Sequence, residues 1–308
     1  MSKPIEDKLE KIPLLNVLMR FFKKIKLPGL EGLSFYDLLE LYIIGIVKGA
    51  LTTRASAIAF SFFMALFPFL LFVLFIIPYI PVEGFKGEFL VFLESFLPPN
   101  TSDFFINNIF ENIDQSQRGG LLSSVFVLSI ALMANGVNAV FSGFEYSYHE
   151  QLTRNVFKQY LYALGIALIL AFLLILTIAF LGYFQIYVVQ GLLNAFAVDA
   201  QNVFWANFAQ YLFFVAMIYL ATATLYYFGT HEGRNSKFFS VGALFTTLLI
   251  MLSSYLFGIY IENFAQYNKL YGSIGALLIL LFYLWLNANI LLLGYELNAS
   301  LNKLKKGV

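Results

Sequence analysis

The sequence predicts an all-α integral membrane protein with six transmembrane helices, both termini in the cytoplasm and amphipathic helices at the membrane interfaces. Apolar residues make up 60% of the 308 residues and charged residues only 12%, which leaves little chain for a soluble domain. The uncharged stretches are also long enough to cross a bilayer, which takes roughly 20 apolar residues. The last of them runs for 26 residues, from Leu270 to Tyr295.

Six spans follow from these uncharged stretches. They are expected at about 55–80, 121–144, 159–184, 205–228, 238–261 and 272–296. The stretch 159–198 is long enough for two short spans, but Gln185, Gln190 and Asn194 make its second half unfavourable in hydrocarbon, so we expect one helix and an interfacial outer loop. The spans belong to one membrane domain, 35–300, between a basic amphipathic segment, 1–34, and a basic tail, 301–308.

Basic residues set the expected orientation, because Lys and Arg near the ends of spans tend to stay in the cytoplasm. Sixteen of the 19 basic residues fall in residues 1–54, in the tail, and in the loops that follow spans two and four. The alternate loops contain only Lys86, Arg118 and Lys269. Both termini are therefore expected inside, and because the N-terminus lacks a cleavable signal pattern we expect the first span to direct insertion into a bacterial inner membrane.

Amphipathic regions are expected at both membrane surfaces. Residues 14–26 interleave apolar residues with four basic ones, a pattern that suits either an anionic inner leaflet or the cytoplasmic face of the helix bundle. Ser34 and Asp37 have the spacing of a capping box at the start of an interfacial helix. The outer loop 81–120 predicts two short helices, which form either a lid over a path or a connector resting on lipid.

Span two carries the sharpest polar pattern within the predicted membrane region. At 100° per residue, five polar side chains fall on one side of this helix. They are Ser124, Asn135, Asn138, Ser142 and Glu145. Because polar side chains inside a membrane rarely face lipid, this stripe either lines a hydrated path for a polar solute or lipid head group, or bonds a neighbouring helix.

Span one contains Pro68 near its middle. Proline lacks an amide donor and crowds the carbonyl of Met64, so we expect a kink there. The kink serves either as a moving hinge or as fixed architecture, since neighbouring groups can satisfy the freed carbonyl.

Span six places two asparagines at apolar depth. Asn289 shares a helix face with Glu296, whereas Asn287 points nearly the opposite way together with Gly294 and Asn298. At least two partner helices are therefore expected.

Four charged residues are predicted at the cytoplasmic ends of the spans. Glu296 lies at the same predicted depth as Arg54 and Arg154, so either arginine suits an ion pair with it. Glu145 ends the polar stripe of span two. We expect Arg54, Glu145, Arg154 and Glu296 to form a cytoplasmic gate or a structural brace.

The residues present disfavour enzyme chemistry. The sequence has no cysteine, and its two histidines, His149 and His231, fall on different predicted loops. No HExxH motif, paired aspartates or Gly-rich phosphate loop accompanies them. We therefore expect no metal, no cofactor and no catalytic residues. The basic loops also lack the interleaved aromatic residues of an RNA platform, so no nucleic-acid partner is expected.

Three segments resemble the YihY/BrkB family of bacterial inner-membrane proteins. They are RASAIAFSFFMALFPFLLF from Arg54, GLLSSVFVLSIALMANGVNAVF from Gly120 and IYIENFAQYNKLYGSIGALLILLFYLWLNANILLLGYELNAS from Ile259. The third is the most specific, because it closes with Gly-x-Glu-Leu-Asn from Gly294 to Asn298. The resemblance covers about residues 35–300 and implies six membrane helices with both ends inside. Some family members carry the label ribonuclease BN, a tRNA-processing enzyme, but without clustered metal ligands or an acid–base pair we do not expect that activity.

These features favour a transporter-like or permease-like conduit for a lipid or another amphiphile. Its predicted path consists of Asn135, Asn138, Ser142, Asn287 and Asn289. The alternative is a membrane scaffold or assembly partner of an envelope complex that transports nothing. That alternative predicts stable co-purification with a periplasmic or membrane partner.

Overall fold

Six long helices make up most of the described chain. The computed structural model describes residues 20–26, 34–37, 39–40, 50–76, 119–145, 155–184, 200–229, 237–264 and 273–305. The helices are α1 (Leu51–Ile76), α2 (Gly119–Glu145), α3 (Val156–Tyr183), α4 (Ala200–Gly229), α5 (Val241–Phe264) and α6 (Ser273–Lys305). Among the described residues, five of these helices, α2 to α6, are long and apolar enough to cross a membrane. The all-helical membrane class is confirmed, while the count of six spans remains a prediction.

Polar side chains define the starts of two helices. At α3, the Asn155 side chain accepts a hydrogen bond from the backbone nitrogen of Phe157 at 3.1 Å. At α5, Ser240 Oγ accepts from the backbone nitrogen of Ala243 at 3.2 Å. Both residues satisfy donors that a helix N-terminus leaves without an intrahelical partner.

The last helix continues past the predicted end of span six at 296. It reaches Lys305 and so includes part of the segment 301–308 that the sequence predicts as a tail. Leu297 and Leu301 are buried and pack against Val241 and Phe245 at the start of α5. These apolar contacts explain why the helix does not end at the membrane boundary that the charge pattern predicts.

The six helices form a closed ring in chain order. Each helix packs against the next, and α6 packs back against α1, while α2 also contacts α4 and α6 across the ring. Side-chain bonds join the start of α1 to the end of α6, and the end of α2 to the start of α3. Neighbouring helices are therefore antiparallel, and one end of the ring, here called the Arg54 end, collects the starts of the odd-numbered helices and the ends of the even-numbered ones.

Burial differs between the two halves of the bundle. In α6, every residue from 288 to 301 except Asn289 is buried, whereas no residue from 277 to 287 is. In α5, the buried residues all lie within 242–247. The packed half, next to the Arg54 end, comprises residues 51–65, 134–145, 155–171, 217–229, 237–250 and 288–305. The far half comprises residues 66–76, 119–133, 172–184, 200–216, 251–264 and 273–287.

The described residues before α1 include the predicted capping box, which is confirmed. Ser34 N donates to Asp37 Oδ2 at 2.7 Å, and Asp37 N donates back to Ser34 Oγ at 3.3 Å. The Phe22 ring packs edge-on against Phe35, with centroids 5.1 Å apart. Of the predicted basic helix 14–26, only residues 20–26 are described, and the loop helices predicted within 81–118 lie outside the described residues.

Candidate functional site

Arg54 joins three helices at the packed end of the ring. Its Nη1 donates to the carbonyl oxygen of Gly143 at 2.7 Å, and its Nη2 lies 3.1 Å from Glu296 Oε1. Only 8% of the arginine side chain and 7% of the glutamate side chain are exposed, so each charge depends on the other for compensation. Gly143 belongs to the last turn of α2, where helix carbonyls lack intrahelical partners and favour a cation.

Arg54 is one of the two predicted partners of Glu296, and the structure confirms this pair. The structure brings Glu296 to Arg54, while Arg154 lies outside the described residues. The Nε atom of Arg54 is buried and has no hydrogen-bond partner in the described part of the chain. The guanidinium thus uses two of its three nitrogens to connect α1 with α2 and α6.

Three aromatic side chains pack together at the centre of the helix bundle, beside this ion pair. Phe144 stacks on Tyr295 with centroids 4.2 Å apart, and Tyr226 meets both of them edge-on at 5.6 and 5.9 Å. All three are buried and come from α2, α4 and α6. These rings, here called the aromatic plug, close the centre of the bundle at the Arg54 end.

The polar stripe of α2 faces α3 at its Arg54 end. The carboxamide of Gln159, a buried residue in the first turn of α3, lies 3.2 Å from Ser142 Oγ. With its nitrogen turned towards Glu145, Gln159 donates to both carboxylate oxygens at 3.1 Å and accepts from Ser142 Oγ. The sequence reasoning missed Gln159. Its signal is a polar residue at the start of span three, at the depth of Ser142 and Glu145.

The middle of the stripe is more open. Asn138 is half-buried, and Asn135 and Ser124 are exposed. The hydroxyl of Tyr160 on α3 donates to the backbone carbonyl oxygen of Ala131 at 3.0 Å. That carbonyl is the usual helical acceptor for the amide of Asn135, so the tyrosine hydroxyl and the Asn135 side chain lie within one turn of each other.

The asparagines of span six face other neighbours. Asn287 Oδ1 accepts from Ser253 Oγ of α5 at 3.3 Å, and its Nδ2 donates to Tyr283 O at 2.9 Å. Asn289 Nδ2 donates to Trp285 O, one turn earlier on the same helix, at 2.7 Å. Asn287 therefore bonds α5, while the stripe of α2 bonds α3, and the structure does not join these two sets of predicted path residues. The expectation of at least two partners for α6 is confirmed by α5 and α1.

The closing Gly-x-Glu-Leu-Asn motif ties α6 to α5. Gly242 N donates to Asn298 Oδ1 at 2.8 Å, and Asn298 Nδ2 donates to Ser240 Oγ at 2.8 Å. A Cβ added at Gly294 would overlap Thr246 Oγ1 and lie 2.9 Å from the Gly242 carbonyl oxygen. The motif thus supplies a close helix contact and a cap for α5. Sequence reasoning placed Asn298 on the right face but did not assign it this capping role.

Tyr226 connects the aromatic plug to the same helix pair. Its hydroxyl donates to the carbonyl oxygen of Leu291 at 2.6 Å and lies 2.6 Å from Thr246 Oγ1. The residue is buried, so its hydroxyl needs these partners. One phenol therefore bonds α4 to both α5 and α6, a role that the apolar surroundings of Tyr226 in the sequence did not reveal.

Pro68 lies inside α1, which runs without interruption from Leu51 to Ile76. The hydroxyl of Ser129, a buried residue of α2, donates to the Pro68 carbonyl oxygen at 2.6 Å. This bond fastens α2 to α1 at the proline. A moving hinge at Pro68 stays a prediction.

Ionisable side chains are sparse elsewhere in the bundle. Among the described residues, no three His, Cys, Asp or Glu side chains lie close enough together to hold a metal ion. Both histidines lie outside the described residues.

The chain is similar to bacterial membrane proteins over most of its length. The sequence profile of the family "Virulence factor BrkB" matches residues 45–307. The ribonuclease-like protein YfkH of Bacillus subtilis is 28% identical over 258 residues, which cover 82% of this chain and 91% of YfkH. The UPF0761 membrane protein PBPRA3489 of Photobacterium profundum is 28% identical over 263 residues, 83% of this chain and 78% of that protein. A UPF0761 membrane protein of Coxiella burnetii is 25% identical over 253 residues, 78% and 84% of the two chains.

No solved structure matches this chain. The matched region, 45–307, contains all six helices, the buried Arg54–Glu296 pair and the motif that caps α5. The predicted resemblance is confirmed, and the chain belongs to the BrkB family of membrane proteins.

Proposed function

We propose that this protein is a permease-like conduit of the bacterial inner membrane that moves a lipid or another amphiphile and has no catalytic activity of its own. Sixteen of its 19 basic residues lie in segments on one side of the six predicted spans. This bias supports a topology with both termini in the cytoplasm. In that orientation the Arg54 end faces the cytoplasm.

The exposed position of Asn135 near the middle of α2 carries the proposal. A carboxamide at this depth is unfavourable against hydrocarbon, so it needs water or a polar group of a cargo. The stripe continues towards the Arg54 end through Asn138 and Ser142 to Glu145, where Gln159 of α3 meets it. It therefore offers a head group successive hydrogen-bonding partners along the α3 side of α2.

The aromatic plug supports this route over a central one. Phe144, Tyr226 and Tyr295 fill the middle of the ring near the Arg54 end, so a head group crossing that end must pass beside the plug. Arg54 and Glu296 hold α1, α2 and α6 together at the same level. In this proposal the ion pair is a cytoplasmic brace that holds these three helices beside the route.

Leaflet-to-leaflet transfer in proteoliposomes tests the proposal. Dithionite quenching would follow fluorescent nitrobenzoxadiazole derivatives of glucosyl diacylglycerol and of phosphatidylglycerol. We expect the wild-type protein to accelerate transfer of at least one of them. Asn135→Leu combined with Asn138→Leu should abolish that acceleration, because it removes both carboxamides of the open stripe.

The matched control is Asn207→Leu, the same chemical change at an exposed asparagine of α4 outside the stripe. It should leave transfer unchanged. A folded double variant with wild-type transfer rates contradicts the path. Wild-type protein that moves neither lipid but co-purifies stably with an envelope protein favours the scaffold instead.

A further inference from the structure

The seam between α2 and α3 presents polar groups on the outer surface of the ring. The side chain of Asn135 is exposed and makes no hydrogen bond with another described residue. The hydroxyl of Tyr160, a residue 38% exposed, lies one turn away at the Ala131 carbonyl. Together they present a carboxamide and a phenol oxygen at the same level of the seam. The carboxamide can donate and accept hydrogen bonds, whereas the phenol oxygen can accept one while its hydrogen stays on the Ala131 carbonyl.

Apolar side chains border this polar spot. Val127 and Leu128 of α2 are 64% and 54% exposed, and Leu161 of α3 is 59% exposed. In a membrane protein such side chains contact acyl chains. A molecule that fits the seam therefore has an apolar tail for this border and a polar head for the spot, which describes a membrane lipid.

The charge of the seam restricts the head group. α2 has no charged residue from Gly119 to Phe144, and α3 has none from Gln159 to Tyr183. The nearby Arg54 guanidinium is committed to Glu296 and the Gly143 carbonyl. Glu145 lies at the end of the seam against Gln159, and Lys158 is exposed beyond it. Within the described part of the seam, no cation compensates an anionic head group at the level of Asn135, where the dielectric constant is low.

We propose that the α2–α3 seam is a binding site for a lipid with an uncharged, hydroxyl-bearing head group, held by the Asn135 carboxamide and the Tyr160 hydroxyl. A head-group hydroxyl matches this pair because it can accept from the Asn135 amide nitrogen and donate to the Asn135 amide oxygen or to the Tyr160 oxygen, whose own hydrogen bonds the Ala131 carbonyl. The site gives the proposed conduit a class of cargo. A role of the site in transport rests on the proposed function, whereas lipid binding at the seam does not.

Lipid binding to the purified full-length protein tests the site. Glucosyl diacylglycerol would be titrated into detergent-solubilised protein, and bound lipid counted by native mass spectrometry. We expect saturable binding, weakened about tenfold by Asn135→Leu with Tyr160→Phe, which corresponds to about 1.4 kcal/mol. Tyr160→Phe alone removes a single oxygen atom and should weaken binding roughly threefold. This single variant keeps the test decisive even if the double variant does not fold.

Two controls separate the seam from general effects. Asn207→Leu should bind the glycolipid as the wild type does, and so should Asn135→Gln, which keeps the carboxamide. Phosphatidylglycerol binding should be unaffected by the double variant. Diacylglycerol binding as tightly as the glycolipid would also support the site, with the glycerol hydroxyl rather than the sugar as the bound group.

Three results would overturn the site. The first is that wild-type protein and Tyr160→Phe bind the glycolipid equally well. The second is that equimolar phosphatidylglycerol displaces the glycolipid, and the third is that a photo-crosslinker at Leu128 captures a second copy of the chain instead of lipid. Binding that survives while leaflet transfer is absent contradicts the conduit alone. Transfer that survives the loss of seam binding contradicts the role of the site in transport and leaves the proposed lipid binding at the seam intact.

Discussion

The packed half and the far half of the bundle contain similar apolar residues but use them differently. In α6, residues 288–301 are almost all buried, while residues 277–287 are half-buried or exposed. The packed half has close glycine contacts at Gly143, Gly242 and Gly294. Because lipid is as apolar as leucine, hydrophobicity alone does not hold membrane helices together, and small residues and polar bonds decide where they pack. Among its described residues, the far half has fewer close glycine contacts and fewer polar bonds between helices.

The largest difference is expected at the buried ion pair. Glu296→Ala leaves the Arg54 guanidinium buried without its counter-charge and should lower the free energy of unfolding by about 3–5 kcal/mol. Detergent-based unfolding measures this. Replacing both residues by methionine should recover most of the loss, since an apolar pair of similar size needs no compensation. A double variant as unstable as Glu296→Ala would show that the lost charge is not the cause.

A glycine in each half provides the second test. Gly294→Ala places a methyl group against Thr246 Oγ1 and the backbone carbonyl of Gly242, so we expect a loss of about 2–3 kcal/mol from overpacking. Gly258→Ala in the far half of α5 meets nothing within 4 Å. It should be neutral or stabilise by up to about 1 kcal/mol through helix propensity. Equal stability of the two variants in thermal unfolding contradicts the proposed difference between halves.

Two tyrosines give the third contrast. Tyr226→Phe removes the hydroxyl that bonds the Leu291 carbonyl and Thr246, which should cost about 1–2 kcal/mol because buried polar groups lose their partner. Tyr255 is 69% exposed, so Tyr255→Phe should leave the unfolding midpoint unchanged. If both variants match the wild type, the Tyr226 hydroxyl does not hold α4 to its neighbours.

The smallest effects on stability are expected from single asparagines. Asn287→Leu loses its bond with Ser253 of α5 and should cost about 1 kcal/mol. Asn135→Leu loses no described bond and should leave stability within about 0.5 kcal/mol while slowing lipid transfer. A stability loss at Asn135 larger than at Asn287 would indicate that the stripe of α2 serves packing instead of transport.

Helix positions were largely predictable, whereas their partners were only partly so. The uncharged stretches placed all six helices within a few residues, except that α6 continues to Lys305 through contacts with α5. The depth of Arg54 and Glu296 was readable because charges near span ends are rare and conspicuous. That Arg54 pairs with Glu296 was not, since the predicted topology puts Arg154 at the same level.

In the candidate site, too, the sequence indicated which way a side chain faces but not which helix it meets. Helical periodicity correctly separated the face of Asn287 from that of Glu296, because 100° per residue is a local property. It did not indicate that Gln159 would meet Ser142 and Glu145, or that Asn298 would cap α5. Such bonds depend on which helices are adjacent in the ring and on how closely glycines allow them to approach.

By itself, the sequence determined that this chain is an all-helical membrane protein of the BrkB family and which faces of its helices are polar. Hydropathy, charge at span ends and helical periodicity are properties of short stretches of chain, so they can be read without a fold. Only the tertiary structure decided that Arg54 pairs with Glu296 across 242 positions of sequence, that aromatic rings fill the centre of one end, and that Asn135 stays exposed. These outcomes follow from the packing of six helices around one another, which no single helix specifies.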